Sequence, residues 1–267
     1  MKTHKLFIWI IGLSLFIIAG CQTARDDEFD DIYNYRTDKI LYPQNAKLRQ
    51  IFTVESVESD KISGYVEEYE YDESGRIDKV SHPMYENGGK TGLLSYDLYK
   101  YNDKNQLEKI ENYNLNLTEG FINIQNTTYT YDNSGKKIRE QIDYPQTGNI
   151  CKSEDIIYTY DNAHLTEKEY YECDELKSFI LYNYNSKGEN ITEKTYGSDN
   201  TPFQIIRHTY RDGLNVKTEY FSAVNNEKTR EINRIYDKND NLVILTSNEL
   251  MWYSDMSCYV LKYEYDK

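Results

Sequence analysis

Leu214-Asn215-Val216-Lys217-Thr218-Glu219-Tyr220 alternates without a break between side chains that leave water and side chains that stay in it. A two-residue period of this kind belongs to a strand covered on one face. Similar short runs recur along the chain, each followed by a polar turn and a second run, and apolar residues at helical spacing are nowhere sustained after residue 50. The pattern predicts strand, turn, strand and a looser return, many times over. The strand-rich segment Leu48 to Val57 is expected to cap the first hairpin.

Tyrosine marks each unit. EYEYDESGRI (68–77), TYTYDNSGKKI (128–138) and LYNYNSKGENI (181–191) are near copies of one another. Aligned on the tyrosine before the turn, the units stand at Tyr71, Tyr101, Tyr131, Tyr160, Tyr184, Tyr210, Tyr236 and Tyr265, with gaps of 30, 30, 29, 24, 26, 26 and 29 residues. A period of that length signals one supersecondary unit repeated. Six of the eight carry a second tyrosine two residues earlier, at Tyr69, Tyr99, Tyr129, Tyr158, Tyr182 and Tyr263, while His208 and Arg234 take that slot in the other two. Residues two apart on a strand share a face.

After the tyrosines come Asp72-Glu-Ser-Gly75, Asn102-Asp-Lys-Asn105, Asp132-Asn-Ser-Gly135, Asp161-Asn-Ala-His164 and Asn185-Ser-Lys-Gly188. Asp or Asn bonds its own backbone two residues on, and Gly or Asn supplies the left-handed backbone that closes the loop. His164 is the odd member at such a position, Arg211-Asp-Gly213 reads as one residue shorter, and Asp237-Lys-Asn-Asp-Asn241 as one longer. An aliphatic side chain then restarts the chain at Ile77, Leu107, Ile138, Leu165, Ile191, Leu214 and Leu242. The expected fold class is all-β: antiparallel hairpin repeats in a curled, twisted meander sheet, each tyrosine pair beside the next, with Glu, Lys and Thr on the other face. Exposed edges are expected at the two end repeats.

Ahead of the repeats, Lys2 and Lys5 precede an apolar run from Leu6 to Ile18, and Ala19-Gly20 leads into Cys21. This is the build of a secretory signal, and the run is shorter than the roughly 20 residues that span a bilayer. Ile18-Ala19-Gly20-Cys21 resembles a bacterial lipobox, which implies cleavage before Cys21 and diacylglycerol on its thiol, with a membrane as partner. Five acids follow within residues 22–31. They make a solvated tether and resemble the export signal of surface lipoproteins in Bacteroidota, which implies an outer-membrane, surface-exposed location. The chain divides into a signal at 1–20, an acidic tether at 21–47 and a repeat domain at 48–267.

The unit Tyr-x-Tyr-Asp-x-x-Gly-(x)-(Leu/Ile) resembles the YD repeat of Rhs-type proteins over about residues 60–267. Large members coil such hairpins into a hollow shell. This chain has too few units to enclose a cargo, and it lacks the Asp-Pro-x-Gly stretch and toxin tail of that family. The resemblance implies surface structure or binding without catalysis.

Composition narrows the partners. Loss of residues 1–20 removes two lysines and no acid, so a net charge of −14 becomes −16, which repels phosphate backbones and excludes nucleic acid. The 28 tyrosines against 8 phenylalanines favour a strand-forming aromatic with a polar tip. Cys151 and Cys173 stand 10 residues before and 9 after the turn at 161–164. In one hairpin they face each other, and export permits a disulfide between them, leaving Cys258 unpaired. Asp237, Asn239 and Asn241 begin like a calcium loop, but Leu242 stands where its glycine belongs and Asn248 where its final glutamate belongs, so a plain turn is expected. His82, His164 and His208 have no partner at ligand spacing, and no catalytic or cofactor motif is present. Trp252 and Tyr253, within Met251–Met256, form a candidate binding patch. The expected function is a non-enzymatic surface lipoprotein that binds glycan or protein through its sheet. The alternatives are a structural envelope component and a polysaccharide hydrolase using a carboxylate pair.

Overall fold

A computed structural model describes residues 46–54, 62–86, 89–146, 153–249 and 258–265. Among them the chain is strand and turn only. The strands are β1 (Leu48–Val54), β2 (Ile62–Tyr71), β3 (Ile77–Glu86), β4 (Gly89–Tyr101), β5 (Leu107–Asn116) and β6 (Gly120–Tyr131). Next come β7 (Lys137–Asp143), β8 (Ser153–Asp161), β9 (His164–Glu172), β10 (Glu175–Tyr184) and β11 (Asn190–Gly197). The last are β12 (Pro202–Arg211), β13 (Leu214–Ser222), β14 (Lys228–Tyr236), β15 (Leu242–Glu249) and β16 (Cys258–Tyr265). Each pairs antiparallel with its sequence neighbour, as the meander reading required.

The ends do not stay open. β1 pairs with β2 through Gln50–Glu68 and with β16 through Ile51–Tyr263, closing a sixteen-stranded barrel. The open curled sheet with exposed end repeats is therefore corrected to a closed barrel. Two physical causes are visible. β1 is not a lid over the first hairpin but a full strand with two bonding edges. A second device recurs in all seven tyrosine hairpins, where the ladder slips by one residue just past the turn. Tyr71 pairs with Ile77 but Glu70 with Lys79, Tyr131 with Lys137 but Thr130 with Arg139, and Tyr236 with Leu242 but Ile235 with Ile244. Such a bulge bends the strand and raises its twist. Repeated at one height in every hairpin, it curls the sheet onto itself.

The turns follow their chemistry. In the first, Asp72 N–H donates to the Arg76 carbonyl at 2.8 Å, the Arg76 N–H returns to Asp72 Oδ1 at 2.9 Å, and Gly75 has φ +80°. Asp237–Asn241 repeats this geometry with Asp240 in the left-handed position (φ 64°), so it is not one residue longer. At 161–164 the positive φ falls on Asn162 (50°), and His164 begins β9 with its ring 4.6 Å from that of Tyr184. The shortened turn is a two-residue one, Asp212-Gly213, both at positive φ.

The tyrosine pairs do not stand side by side, because a returning strand separates them: Tyr99 faces Ile110, which faces Thr127, the face-mate of Tyr129. Buried positions on this face run around much of the circumference, at Val80, Thr127, Ile156, Tyr158, Ile206, Thr218 and Ile232. On the opposite face they gather mainly in one sector, at Val66, Ser81, Ile235, Ile244 and Lys262. Side chains converge on the concave side of a closed sheet and fan apart on the convex side, so the tyrosine face is the inner wall. The outer wall carries the expected Glu, Lys and Thr, laced by pairs such as Lys79–Glu70 (3.1 Å), Lys100–Glu111 (2.7 Å) and Arg139–Asp155 (2.6 Å).

Candidate functional site

The two tyrosines of each doublet do different work. The later one ties hairpin to hairpin. Tyr101 Oη donates to the Ile77 carbonyl at 2.8 Å, Tyr131 to Leu107 at 2.7 Å, Tyr160 to Lys137 at 2.9 Å and Tyr184 to Leu165 at 2.9 Å. Tyr236 and Tyr265 repeat this on Asn215 and Leu242, at 3.1 and 2.9 Å. Each acceptor immediately precedes the extra residue of the neighbouring bulge, beside the interrupted rung of the ladder. Tyr71 makes the same bond across the next strand pair, to Leu48 at 2.6 Å.

The earlier tyrosine lies deeper along the strand. Burial pushes the Tyr99 phenol up to about 12, the nearby Asp97 and Glu67 charges adding to the effect. Burial is also the first cause of the raised Tyr129, Tyr158 and Tyr182 phenols. Tyr158 Oη donates to Glu140 Oε1 at 2.5 Å. Tyr99, Tyr129 and Tyr182 have no hydrogen-bond partner for their hydroxyls among the described residues, and those oxygens are not sealed from solvent.

Where the doublet is broken, the slot becomes ionic. His208 Nε2 lies 3.0 Å from Glu193 Oε1 and its Nδ1 3.1 Å from Thr218 Oγ1, and Arg234 Nη1 donates to Thr218 Oγ1 at 2.8 Å. Asn190 Nδ2 donates to Glu193 at 2.9 Å, while its buried Oδ1 has no partner among the described residues. A second polar group sits on β3 to β5, where Asp97 accepts from Asn112 and faces His82 Nε2 at 3.4 Å. That hydrogen bond raises the His82 pKa against the opposing effect of burial. Midway between, Lys137 pairs with Glu140 and lies 4.5 Å from the Tyr158 ring centre. The wall thus offers aromatic faces, free phenol donors and fixed polar groups within one curved surface.

The other candidates divide as follows. Cys173 is disulfide-bonded and sits at the β9–β10 turn with φ 56°, its N–H on the Ser153 carbonyl at 3.1 Å. Cys21, Cys151, Trp252 and Tyr253 lie outside the described residues. Asp237 Oδ1 accepts from the backbone of Asn239 and Asn241, at 2.9 and 3.0 Å, and from the Asn241 amide at 3.2 Å, which is the plain turn expected. Outer-wall aromatic pairs, Tyr96–Tyr113 (centres 4.9 Å apart) and Phe179–Tyr196 (4.9 Å), were not legible because they fall outside the tyrosine repeat. Their only trace in the sequence is a ring in the second half of each return.

No family model matches the chain, and no curated protein matches its sequence. Among solved structures, a porin-like protein from Bacteroides uniformis is similar at a TM-score of 0.53 and 12% identity, covering 85% of this chain and all of that one. A DUF3836 family protein from Bacteroides vulgatus matches at 0.26 and 16% identity over 39% of this chain and 89% of that one. The TcdB2-TccC3-Cdc42 toxin complex matches at 0.32 and 12% identity over 74% of this chain and 12% of that one. What the first of these shares with the present chain is its barrel fold.

Proposed function

We propose that this is a non-enzymatic lipoprotein, held in the outer membrane by acyl chains on Cys21 and displayed at the cell surface, whose barrel binds a glycan along its inner wall. The observation that carries the reading is the set of phenols at Tyr99, Tyr129 and Tyr182, on β4, β6 and β10, whose hydroxyls have no hydrogen-bond partner among the described residues. A sugar needs an aromatic face for its C–H surface and fixed polar groups for its hydroxyls, which is the lining of specific small-molecule sites. Tyrosine supplies both from one rigid side chain. Asn190, Glu193, His208 and Arg234 supply the rest.

The location rests on the signal and lipobox at Cys21, and a barrel like that of a porin-like protein agrees with an outer-membrane or surface position. The barrel itself does not sit in hydrocarbon. Its outer wall is threaded with Lys, Arg and Glu pairs, and Lys or Arg on a lipid face costs about 2–4 kcal/mol at the bilayer midplane. The resemblance to YD repeats supports binding or surface structure.

The test is a glycan array probed with residues 22–267, which contain every described strand, beside the triple variant Tyr99→Phe, Tyr129→Phe, Tyr182→Phe. Binding to a defined glycan that weakens at least tenfold in the variant supports the reading. Silence across the array from a folded barrel supports the structural-component alternative, and shortening of a bound glycan supports the hydrolase alternative. Either outcome overturns it.

A further inference from the structure

The level of the inner wall set by the earlier tyrosine is not uniform around the barrel. Its partners on the returning strands divide it into two sectors. From β16 round to β5 the pairs are Tyr263–Ile51, Tyr69–Val80 and Tyr99–Ile110, which carry no charge. From β6 to β13 they are Tyr129–Glu140, Tyr158–Lys168, Tyr182–Glu193 and His208–Thr218. Arg234 on β14 closes this second row, facing Leu245. Lys137, one rung nearer the turns, reaches into the same sector through Glu140.

The charges of the second sector do not match up. Glu140 is taken by Lys137 and the Tyr158 hydroxyl, and Glu193 by His208 and Asn190. Lys168 and Arg234, both half-buried, have no carboxylate partner among the described residues. The Lys168 ammonium lies 5.4 and 5.0 Å from the ring centres of Tyr158 and Tyr170. Arg234 gives Nη1 to two neutral oxygens, Thr218 Oγ1 at 2.8 Å and Asn215 Oδ1 at 3.3 Å, while its Nε and Nη2 donors have no acceptor among the described residues. Nearby acids are held apart. Glu154 and Glu172 stand four residues along the strand from Tyr158 and Lys168, about 13 Å away. Glu189 is tied at the rim by Asn185 Nδ2 at 2.6 Å. With 45 acids to 31 lysines and arginines the chain has carboxylates in excess, and on the outer wall it sets them against cations, as at Lys79–Glu70 and Lys100–Glu111. Two inward cations with neutral partners are thus set for a counter-charge that the ligand brings.

We infer that this sector selects an anionic oligosaccharide, Lys168 and Arg234 each receiving a carboxylate or sulfate of the ligand; the inference rests on the glycan reading above. The remaining donors of Arg234 form a fork that matches two oxygens of one such group. Lys168 on β9 and Arg234 on β14 are five strands apart, about 24 Å along the wall at roughly 4.8 Å per strand. One acidic group cannot serve both, so the ligand is a chain with repeated charges that passes Tyr182 and His208 between them. The negative charge of the protein as a whole opposes such a ligand at long range. That opposition is screened beyond a Debye length of about 8 Å at physiological salt, while contacts at the two cations act at hydrogen-bond distance.

Calorimetric titration of residues 22–267 with two matched pairs of probes tests it: oligogalacturonate against its methyl ester, and sulfated against unsulfated dextran oligomers. A charged member is expected to bind at least tenfold tighter than its neutral mate, and the pair that shows this tells carboxylate from sulfate. Lys168→Gln together with Arg234→Gln should abolish the preference, and Lys168→Arg should keep it. Lys194→Gln, which removes an exposed cation from the outer wall, should leave it unchanged. Circular dichroism checks that each variant keeps its strands, and the comparison of charged with neutral probes on the unmodified protein needs no variant. Equal binding within both pairs, no binding of either charged probe, or a preference that survives the double Gln variant would each overturn the inference, while binding of a neutral glycan on the array would leave the proposed function standing. Silence on every glycan would remove that function and this inference together.

Discussion

Replacing tyrosine by phenylalanine removes one oxygen and little else, and the two members of each doublet should answer differently. In Tyr101, Tyr131, Tyr160 and Tyr184 the hydroxyl bonds a neighbouring carbonyl at 2.7–2.9 Å in a half-buried setting. A neutral hydrogen bond of that kind contributes about 0.5–1.5 kcal/mol. The four sites lie on alternate strands, about 10 Å apart, so their effects should add. The quadruple Phe variant should therefore lose about 4 kcal/mol, a large share of the 5–15 kcal/mol typical of a domain. The same change at Tyr99, Tyr129 and Tyr182, whose hydroxyls have no protein partner among the described residues, should move stability by no more than about 0.5 kcal/mol. Urea unfolding followed by circular dichroism reads both, as a shift in midpoint at constant slope. Equal losses in the two sets, or a quadruple variant as stable as the parent, would refute the division of labour between the two tyrosines.

Alkaline pH should destabilise the barrel through its inner wall. A phenol whose pKa is about 12 folded and about 10 unfolded stabilises fully below pH 10 and loses that contribution as pH rises toward 12. For Tyr99 the ceiling is about 2.7 kcal/mol, less what solvent screening removes from a half-buried ring. Absorbance of tyrosinate should thus rise together with loss of strand signal, and a smooth independent titration near pH 10 would contradict the burial. Gly188→Ala forces a side chain onto a backbone at φ +79° with the His164 ring 3.1 Å from the new Cβ, and should cost about 1–2 kcal/mol in the same urea assay. Cys151→Ser should free the Cys173 thiol and raise the thiol count by one under non-reducing conditions, and a count that falls by one would assign Cys173 a different partner.

Strand positions, turn chemistry and the inward slot were legible because each is written locally. Asp132 and Gly135 announce their turn, and Tyr129-x-Tyr131 announces a shared face. The slot also survived substitution, with His208 and Arg234 standing in the wall where a tyrosine was absent. The bulge was not legible. Its extra residue, Ile138 or Val243, looks like any other residue of an alternating run, and only the partner strand reveals the slipped rung. Closure was illegible for a similar reason. It rests on pairing Gln50 with Glu264 and Ile51 with Tyr263, and neither partner alters the local pattern of the other. The free hydroxyls at Tyr99 and Tyr182 were likewise hidden, since both members of a doublet read alike until their acceptors are placed.

The seam between β1 and β16 also governs how the barrel can form. Every other pairing joins neighbours along the chain and is ready as soon as its hairpin has emerged, yet Val54 must wait for Val260. Until the final strand arrives, β1 and β15 each present an unsatisfied edge to any passing chain. Completion of the barrel thus depends on its last eight residues of sheet arriving before a stranger does.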